Sequence, residues 1–393
     1  MAYNSVDSNR TVSWTSVTPN PSGAQQDNYS NSYDPQRKVI GLDIGTGASS
    51  IYPLLACRQR PEWRFLATEI DSLSRDFANQ NIISNGMDRR IKLLGSDPES
   101  QNIIPSTQLE RFDRIDILLT NPPFYTSEAE LQSLAKQKAR PPNSACTGAP
   151  VEMICPGGEV TFVGRIVQES RLPENRVRIQ WFSSMLGKLS SVTAIIDKLH
   201  EIDCTNYAVT EFVQGQKTRR WCVAWSWTTL RPSLSVARGT DVVEKKYLPF
   251  PTELELSLSI DLPDTIQKIN VEIPKLQGME WQWRQNLQAG IGRSMIGDVW
   301  SRHARRKQKK LAVDDRVKPF VESSIESKDN ADNTDGEDDI EPKFVFKITF
   351  KQALTAQSSD DTTPSTTLVL RWLQGDDSTL FESFHGWLKR KLV

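Results

Sequence analysis

Apolar and polar positions along this chain fall into blocks with distinct periods. Residues 1–37 are rich in Ser, Asn, Thr and Pro and poor in large apolar side chains, which predicts a disordered or loosely attached segment. The texture changes at Lys38. Val39 to Asp43 is a short apolar run that ends in an acid and meets a glycine-rich turn. Ala48 to Cys57 follows with helical spacing, and Arg64 to Glu69 is a second apolar run ending in an acid. Asp71 to Ile83 predicts a helix, with Asp71 as N-cap and Asn85-Gly86 as its stop. Ile91 to Leu94 and Ile115 to Leu119 are further short strands, the last running into Asn121-Pro122-Pro123-Phe124.

The alternation continues. Gly158 to Gln168 predicts a helix with Val160, Val163, Ile166 and Val167 on one face. Val177 to Phe182 reads as a strand and Val192 to Ile202 as a helix. Two strand-like runs close the block, Tyr207 to Val213 and Trp221 to Trp227, joined by the polar segment Gly215 to Arg220. Strands alternating with helices imply right-handed βαβ units and a mostly parallel sheet. Two strands joined by a short link imply an antiparallel hairpin. The expected fold is α/β, a Rossmann-like sheet over residues 38–229 that finishes in an antiparallel hairpin, the layout of a methyltransferase.

After residue 230 the pattern is different. Glu253 to Ile260 alternates strictly, as a half-buried strand does, and Ile269 to Ile273 reads as its neighbour. Phe344 to Phe350 and Thr367 to Trp372 are strand-like. Ser378 to Leu392 is an amphipathic helix signal, with Leu380, Phe381, Phe384, Trp387 and Leu388 on one side. A small C-terminal α+β accessory domain over 230–393 is expected. It carries a basic segment at 301–310, with six Lys or Arg, and a disordered acidic linker at 326–341, with eight Asp or Glu. The basic segment suits RNA backbone or a nuclear-localisation signal.

Composition narrows the chemistry. The 393 residues include 48 Lys or Arg and 49 Asp or Glu, so a uniformly basic nucleic-acid coat is excluded and local basic patches are not. No apolar run reaches the roughly 18 residues of a membrane-spanning helix. The start of the chain lacks the apolar core of a secretory signal. Five cysteines without a C-x-x-C pair argue for a reducing compartment and against a zinc framework. Three scattered histidines offer no hydrolytic triad.

Three motifs carry chemistry. Asp43-Ile44-Gly45-Thr46-Gly47-Ala48 lies at a strand–helix junction, where glycines admit a ligand close to the backbone. Glu69 ends the next strand, where an acid can accept two hydrogen bonds from a ribose diol. Together they indicate an adenosine-containing cofactor without separating S-adenosylmethionine from NAD. Asn121-Pro122-Pro123-Phe124 separates them. The Asn121 side-chain oxygen and the Pro122 carbonyl can each accept one N–H of a conjugated amine and aim its lone pair at a methyl donor. Pro123 stiffens the loop and Phe124 offers a stacking face. The motif serves N6 of adenine, N4 of cytosine and the glutamine amide of release factors, so it defines the reaction better than the substrate.

Longer segments sharpen this. Leu42 to Pro53 (LDIGTGASSIYP), LATEID at 66–71 and NPPF resemble the methyltransferase-like protein 16 family, which includes the bacterial large-subunit rRNA adenine-N6 methyltransferase F. Arg140-Pro141-Pro142, Gly157-Gly158-Glu159, Trp181 to Lys188, Thr210-Glu211-Phe212 and Arg220-Trp221 extend the likeness over about 38–228. The resemblance implies a class I S-adenosylmethionine-dependent enzyme that forms N6-methyladenosine in a structured RNA, U6 small nuclear RNA in the eukaryotic branch, and a nuclear location. By motif position it implies cofactor contacts from Asp43, Gly45, Thr46, Gly47, Ala48, Glu69, Ser100 and Asn121, with Asn121 to Phe124 holding the target base. No metal is expected. Lys136, Lys138, Arg140, Arg219 and Arg220 are the expected RNA contacts. The C-terminal region resembles the accessory region of vertebrate members, which adds RNA affinity. The family's segment of the form P-N-R-x-N-Y-I-x-W is not found in residues 1–37, so either a shortened form or a start at an internal methionine is expected. Two rival readings stand beside this one, a protein glutamine N5-methyltransferase and a catalytically impaired RNA-binding member of the family.

Overall fold

The computed structural model describes residues 37–95, 102–124, 127, 154–214, 218–306, 341–351 and 366–393. The chain forms two compact units, Met1–Pro251 and Thr252–Val393.

In the first unit the apolar runs become strands where the sequence pattern placed them. β1 (Val39–Ile44), β2 (Trp63–Thr68), β3 (Ile91–Leu93) and β4 (Ile115–Thr120) alternate with α1 (Ile51–Gln59), α2 (Ser72–Ser84) and α3 (Ser106–Leu109). There follow α4 (Gly158–Glu169), α5 (Pro173–Arg178), β5 (Ile179–Leu186), α6 (Leu189–His200), β6 (Tyr207–Gln214), β7 (Thr218–Trp225), α7 (Leu234–Ala237) and β8 (Arg238–Gly239). The sheet order is β3-β2-β1-β4-β5-β7-β6-β8. β3 to β5 run parallel, while β7 lies antiparallel to both β5 and β6. This is the expected Rossmann-like sheet with its terminal antiparallel hairpin.

Strands buried on both faces explain the continuous apolar runs. Leu42, Leu66, Leu118 and Phe182 lie in one core with Val163, Ile166 and Val167 of α4 and Ile195, Ile196 and Leu199 of α6. Phe182 and Trp225, paired across β5 and β7, stack with centroids 5.6 Å apart. The Asp71 side chain caps α2 by accepting the Ser74 N–H at 2.7 Å, and Gly86 takes a positive φ just past its end.

Several boundaries differ from the sequence reading. Val177 is not in a strand. Pro173 opens a short helix that holds Val177 79% exposed, and β5 begins at Ile179. Thr218, Arg219 and Arg220 belong to β7 rather than to the hairpin link, and Trp227 lies beyond the strand. The first unit also extends past residue 229. Val236 packs with Ala208 and Ala224 of the hairpin, β8 pairs with β6, and the Arg238 guanidinium donates to the Pro249 carbonyl.

The second unit contains β9 (Glu253–Leu258), α8 (Leu262–Glu272), β10 (Met279–Arg284), β11 (Ala289–Ser294), β12 (Phe344–Lys351), β13 (Thr366–Gln374) and α9 (Ser378–Leu392). Its antiparallel sheet has the order β10-β11-β12-β13-β9. Residues 269–273 are not a strand beside β9. Asp261 caps a helix that carries proline in its first turn, and Thr265, Ile269 and Ile273 are buried at four-residue spacing. β10 and β11 escaped the sequence reading because Glu280, Gln282 and Gly290 dilute their apolar pattern. Phe381, Phe384, Trp387 and Leu388 of α9 are buried. In the basic segment residues 302–306 are helical, and 307–310 lie outside the described residues. Residues 1–36 and most of the acidic segment, 326–340, also lie outside them.

Candidate active site

The chain leaves β1 toward β2 and β3 on one side and returns to β4 on the other. Crossovers diverging in this way open a crevice at the carboxyl ends of the two strands. β1 and β4 run in register there, Ile44 beside Thr120, and the Thr120 hydroxyl donates to the Ile44 carbonyl at 2.8 Å. The glycine turn and the Asn121 loop therefore emerge side by side.

The glycine turn is tied to β2. Thr46 N–H donates to the Thr68 carbonyl at 2.8 Å and Gly45 N–H to the Thr68 hydroxyl at 3.3 Å. Gly45 (φ 71°) and Gly47 (φ 63°) both sit in the left-handed region, which glycine enters without penalty. A Cβ on Gly45 would meet nothing within 4 Å, so the turn faces open space. Ser50, with φ 47°, also lies in that region, which is uncommon for a non-glycine residue. The Thr46 hydroxyl donates to Asp43 Oδ2 at 2.7 Å. Its single proton is thereby spent, so the Ser50 hydroxyl, 2.9 Å away, is the donor in that pair.

Two acids lie beneath this turn. Asp43 is 1% exposed, and its Oδ1 has no hydrogen-bond partner among the described residues. Burial raises its pKa to about 7, the Thr46 hydrogen bond offsets part of the rise, and the nearby Glu69 charge adds to it. Glu69 is 3% exposed. Its Oε2 accepts the Gly47 N–H at 2.8 Å and its Oε1 the Asp71 N–H at 3.0 Å. A carboxylate accepts at several lone pairs, so such an acid can serve the backbone and a ligand diol together. The Ala48 carbonyl accepts the Asn81 amide at 2.9 Å, which pins the turn to α2.

On the other side, Asn121 is exposed, Pro122 buried, and Pro123 and Phe124 half-buried. The Arg220 guanidinium lies 5.5 Å from the Phe124 ring centroid. The Cδ1–Cε1 edge of the ring faces Gly187, which follows β5. Glu159, in the first turn of α4, accepts the Gly187 N–H at 2.7 Å. Tyr52 of α1 points its hydroxyl at the Met185 sulfur, 3.9 Å away, and burial with the Asp43 charge raises its pKa to about 12.

The structure thus brings together Asp43, Gly45, Thr46, Gly47, Ala48 and Glu69 at the end of β1, and Asn121 to Phe124 with Arg220 at the end of β4. Arg219 is directed elsewhere and pairs with Glu211 on the hairpin, because neighbouring strand residues face opposite ways. Ser100, Lys136, Lys138 and Arg140 lie outside the described residues. Tyr52, Glu159 and Gly187 were not singled out as site residues, although all three lie in the segments that carry the resemblance. Among the described residues no group of His, Cys, Asp or Glu could hold a metal ion, and no helix is long and apolar enough to cross a membrane.

The profile of a family described as RNA methyltransferase matches residues 24–229. A U6 small nuclear RNA (adenine-(43)-N(6))-methyltransferase of Schizosaccharomyces pombe is 36% identical over 274 residues, which are 70% of this chain and 68% of that protein. The human RNA N(6)-adenosine-methyltransferase METTL16 is 37% identical over 188 residues, 47% of this chain and 33% of its own length. The chain therefore spans about two thirds of the yeast relative and a third of the human one. The crystal structure of the human Mettl16 catalytic domain with a MAT2A 3′UTR hairpin aligns with a TM-score of 0.45 and 33% identity, covering 52% of this chain and 68% of that one.

Proposed function

This chain belongs to the RNA methyltransferase family, and from that premise we propose that it methylates N6 of an adenine in a structured RNA, U6 small nuclear RNA above all. The observation that carries this reading is the meeting of the Gly45–Gly47 turn and Glu69 with Asn121 to Phe124 across the β1–β4 crevice. The U6 assignment draws on the name of the S. pombe relative. A nuclear location follows from that substrate.

The residues at β1 fit S-adenosylmethionine. Gly45 opens onto space that a side chain would fill, Gly47 holds a left-handed φ, and the buried Glu69 carboxylate accepts the Gly47 N–H where a cofactor ribose would lie. The cofactor supplies an electrophilic methyl group on a sulfonium. The protein supplies orientation. The Asn121 side-chain oxygen and the Pro122 carbonyl accept the two N–H bonds of the target amine, which draws the nitrogen lone pair out of conjugation with the ring. Phe124 stacks on the displaced base, and Arg220, already over that ring, is placed to meet RNA phosphate. No strong base is required, since the amine becomes acidic as its new bond forms. Correct placement of this kind is worth about 7–11 kcal/mol of a barrier.

The glutamine N5-methyltransferase reading gives way, because the matching family acts on RNA. The test is transfer from labelled S-adenosylmethionine to a U6 hairpin, followed by digestion to nucleosides. Label in N6-methyladenosine is expected. Label confined to protein, or retained when the target adenine is replaced by guanine, would overturn the proposal.

A further inference from the structure

The ring of Phe124 rests on a surface that the NPPF motif does not contain. Gly187 follows β5 directly, level with the Asn121 loop because β4 and β5 run in register, Thr120 beside Ser184. A Cβ on Gly187 would lie 3.0 Å from Phe124 Cδ1, 3.4 Å from Phe124 Cε1 and 3.4 Å from Glu159 Oε2. Gly187 is not among the glycines with positive φ. A side chain here would therefore press on the Phe124 ring, which would have to give by a few tenths of an ångström, while the backbone would accept it.

Glu159 holds this turn from behind. It is 3% exposed. Its Oε2 accepts the Gly187 N–H at 2.7 Å and its Oε1 the Lys188 N–H at 3.2 Å. One buried carboxylate on α4 thus secures two successive N–H groups of the β5–α6 turn. Charge-assisted bonds to a buried carboxylate are short and stiff.

We propose that Glu159 is a positioning residue for methyl transfer, which sets the plane of the target adenine through Gly187 and the edge of the Phe124 ring. The proposal rests on the functional reading above and names a residue that acts at one remove from it. An amine lone pair must point at the methyl group to react, and an error of about 1 Å in such alignment costs on the order of a hundredfold in rate. Substrate affinity depends on many more contacts and is far less sensitive to it.

Glu159→Gln keeps the shape and removes one acceptor. The amide oxygen can serve Gly187, but the NH2 group then faces the Lys188 N–H, donor against donor. Full-length protein with S-adenosylmethionine and a U6 hairpin is expected to show kcat reduced about tenfold or more in E159Q, with the KM for cofactor changed less than about twofold. G187A, which presses on the ring from the turn itself, is expected to reproduce that split. In the F124A background E159Q is expected to cost nothing further. Wild-type kcat in E159Q, a KM rise that matches the kcat loss, or independent losses multiplying in the E159Q/F124A double variant would each overturn the proposal. A urea-denaturation cycle on the wild type, E159Q, F124A and the E159Q/F124A variant needs no substrate. Coupling between positions 159 and 124 is expected, and additive effects would overturn the link. Failure of the wild-type protein to methylate RNA would overturn the functional reading and this proposal's catalytic part with it, while additive effects in the denaturation cycle would overturn the Glu159–Phe124 link alone.

Discussion

The Glu69 carboxylate accepts the Gly47 N–H at 2.8 Å, so the acid that ends β2 is built into the turn that ends β1. The same carboxylate accepts the Asp71 N–H at the start of α2. A cofactor ribose bound to Glu69 would thus be coupled to the glycine turn beside it. Glu69→Ala is expected to raise the Kd for S-adenosylmethionine at least tenfold, a loss of about 1.4 kcal/mol or more. It should also lower thermal stability, because two partly buried N–H groups lose their acceptor. Calorimetric titration and a melting curve check both. Unchanged cofactor affinity would remove Glu69 from the cofactor site.

Asn121 has a different role and a different expected signature. Asn121→Ala should abolish methyl transfer while cofactor affinity stays within about threefold, because the lost acceptor is one that the amine needs as it reacts. Parallel loss of both activities would show that the loop supports the cofactor instead.

Asp43 supplies a pH signature. Its pKa is raised from 3.8 to about 7 by burial, so the folded protein binds a proton that the unfolded chain releases. Below pH 4 both states are protonated and there is no effect. As pH rises from about 4 to 7 the unfolded state ionises and the folded state does not, so stability falls by up to about 1.4 kcal/mol per unit. Asp43→Asn removes the titration. It is expected to flatten the stability profile over this window and to be more stable than wild type at pH 8. Urea denaturation at pH 5 and pH 8 measures the difference, and identical slopes in the two proteins would refute the assignment.

The two neighbouring arginines of β7 are expected to behave unequally. Arg220 lies over Phe124, whereas Arg219 is paired with Glu211. Arg220→Ala should weaken methylation of a hairpin several-fold and reduce the salt dependence of RNA binding, while Arg219→Ala should change each by less than about twofold. Filter binding at two salt concentrations distinguishes them. Equal effects would mean that both arginines reach RNA.

The stacked pair of Phe182 and Trp225 joins the parallel strands to the hairpin. Phe182→Ala leaves a cavity in a fully buried position and should cost about 3–5 kcal/mol. A loss below about 1 kcal/mol would show that this seam can collapse around the gap.

The β1-to-β4 ladder and the main helices beside it were legible because local pattern determines them. Strands buried on both faces must be apolar throughout, and Asp71 caps the helix that follows it. Where local pattern and context disagree, the reading failed. Ile269 and Ile273 look like a strand by composition, but the Asp261 cap and the Pro263 start commit them to α8. Val177 is β-branched and yet lies exposed in a helix that Pro173 initiates. The contacts of Glu159 with Gly187, and of Gly187 and Arg220 with Phe124, join residues 28 to 96 positions apart. No periodicity spans such distances. Only the register of β4, β5 and β7 brings these residues to one edge of the sheet, and only their burial there turns an ordinary acid and an ordinary glycine into the wall of a site.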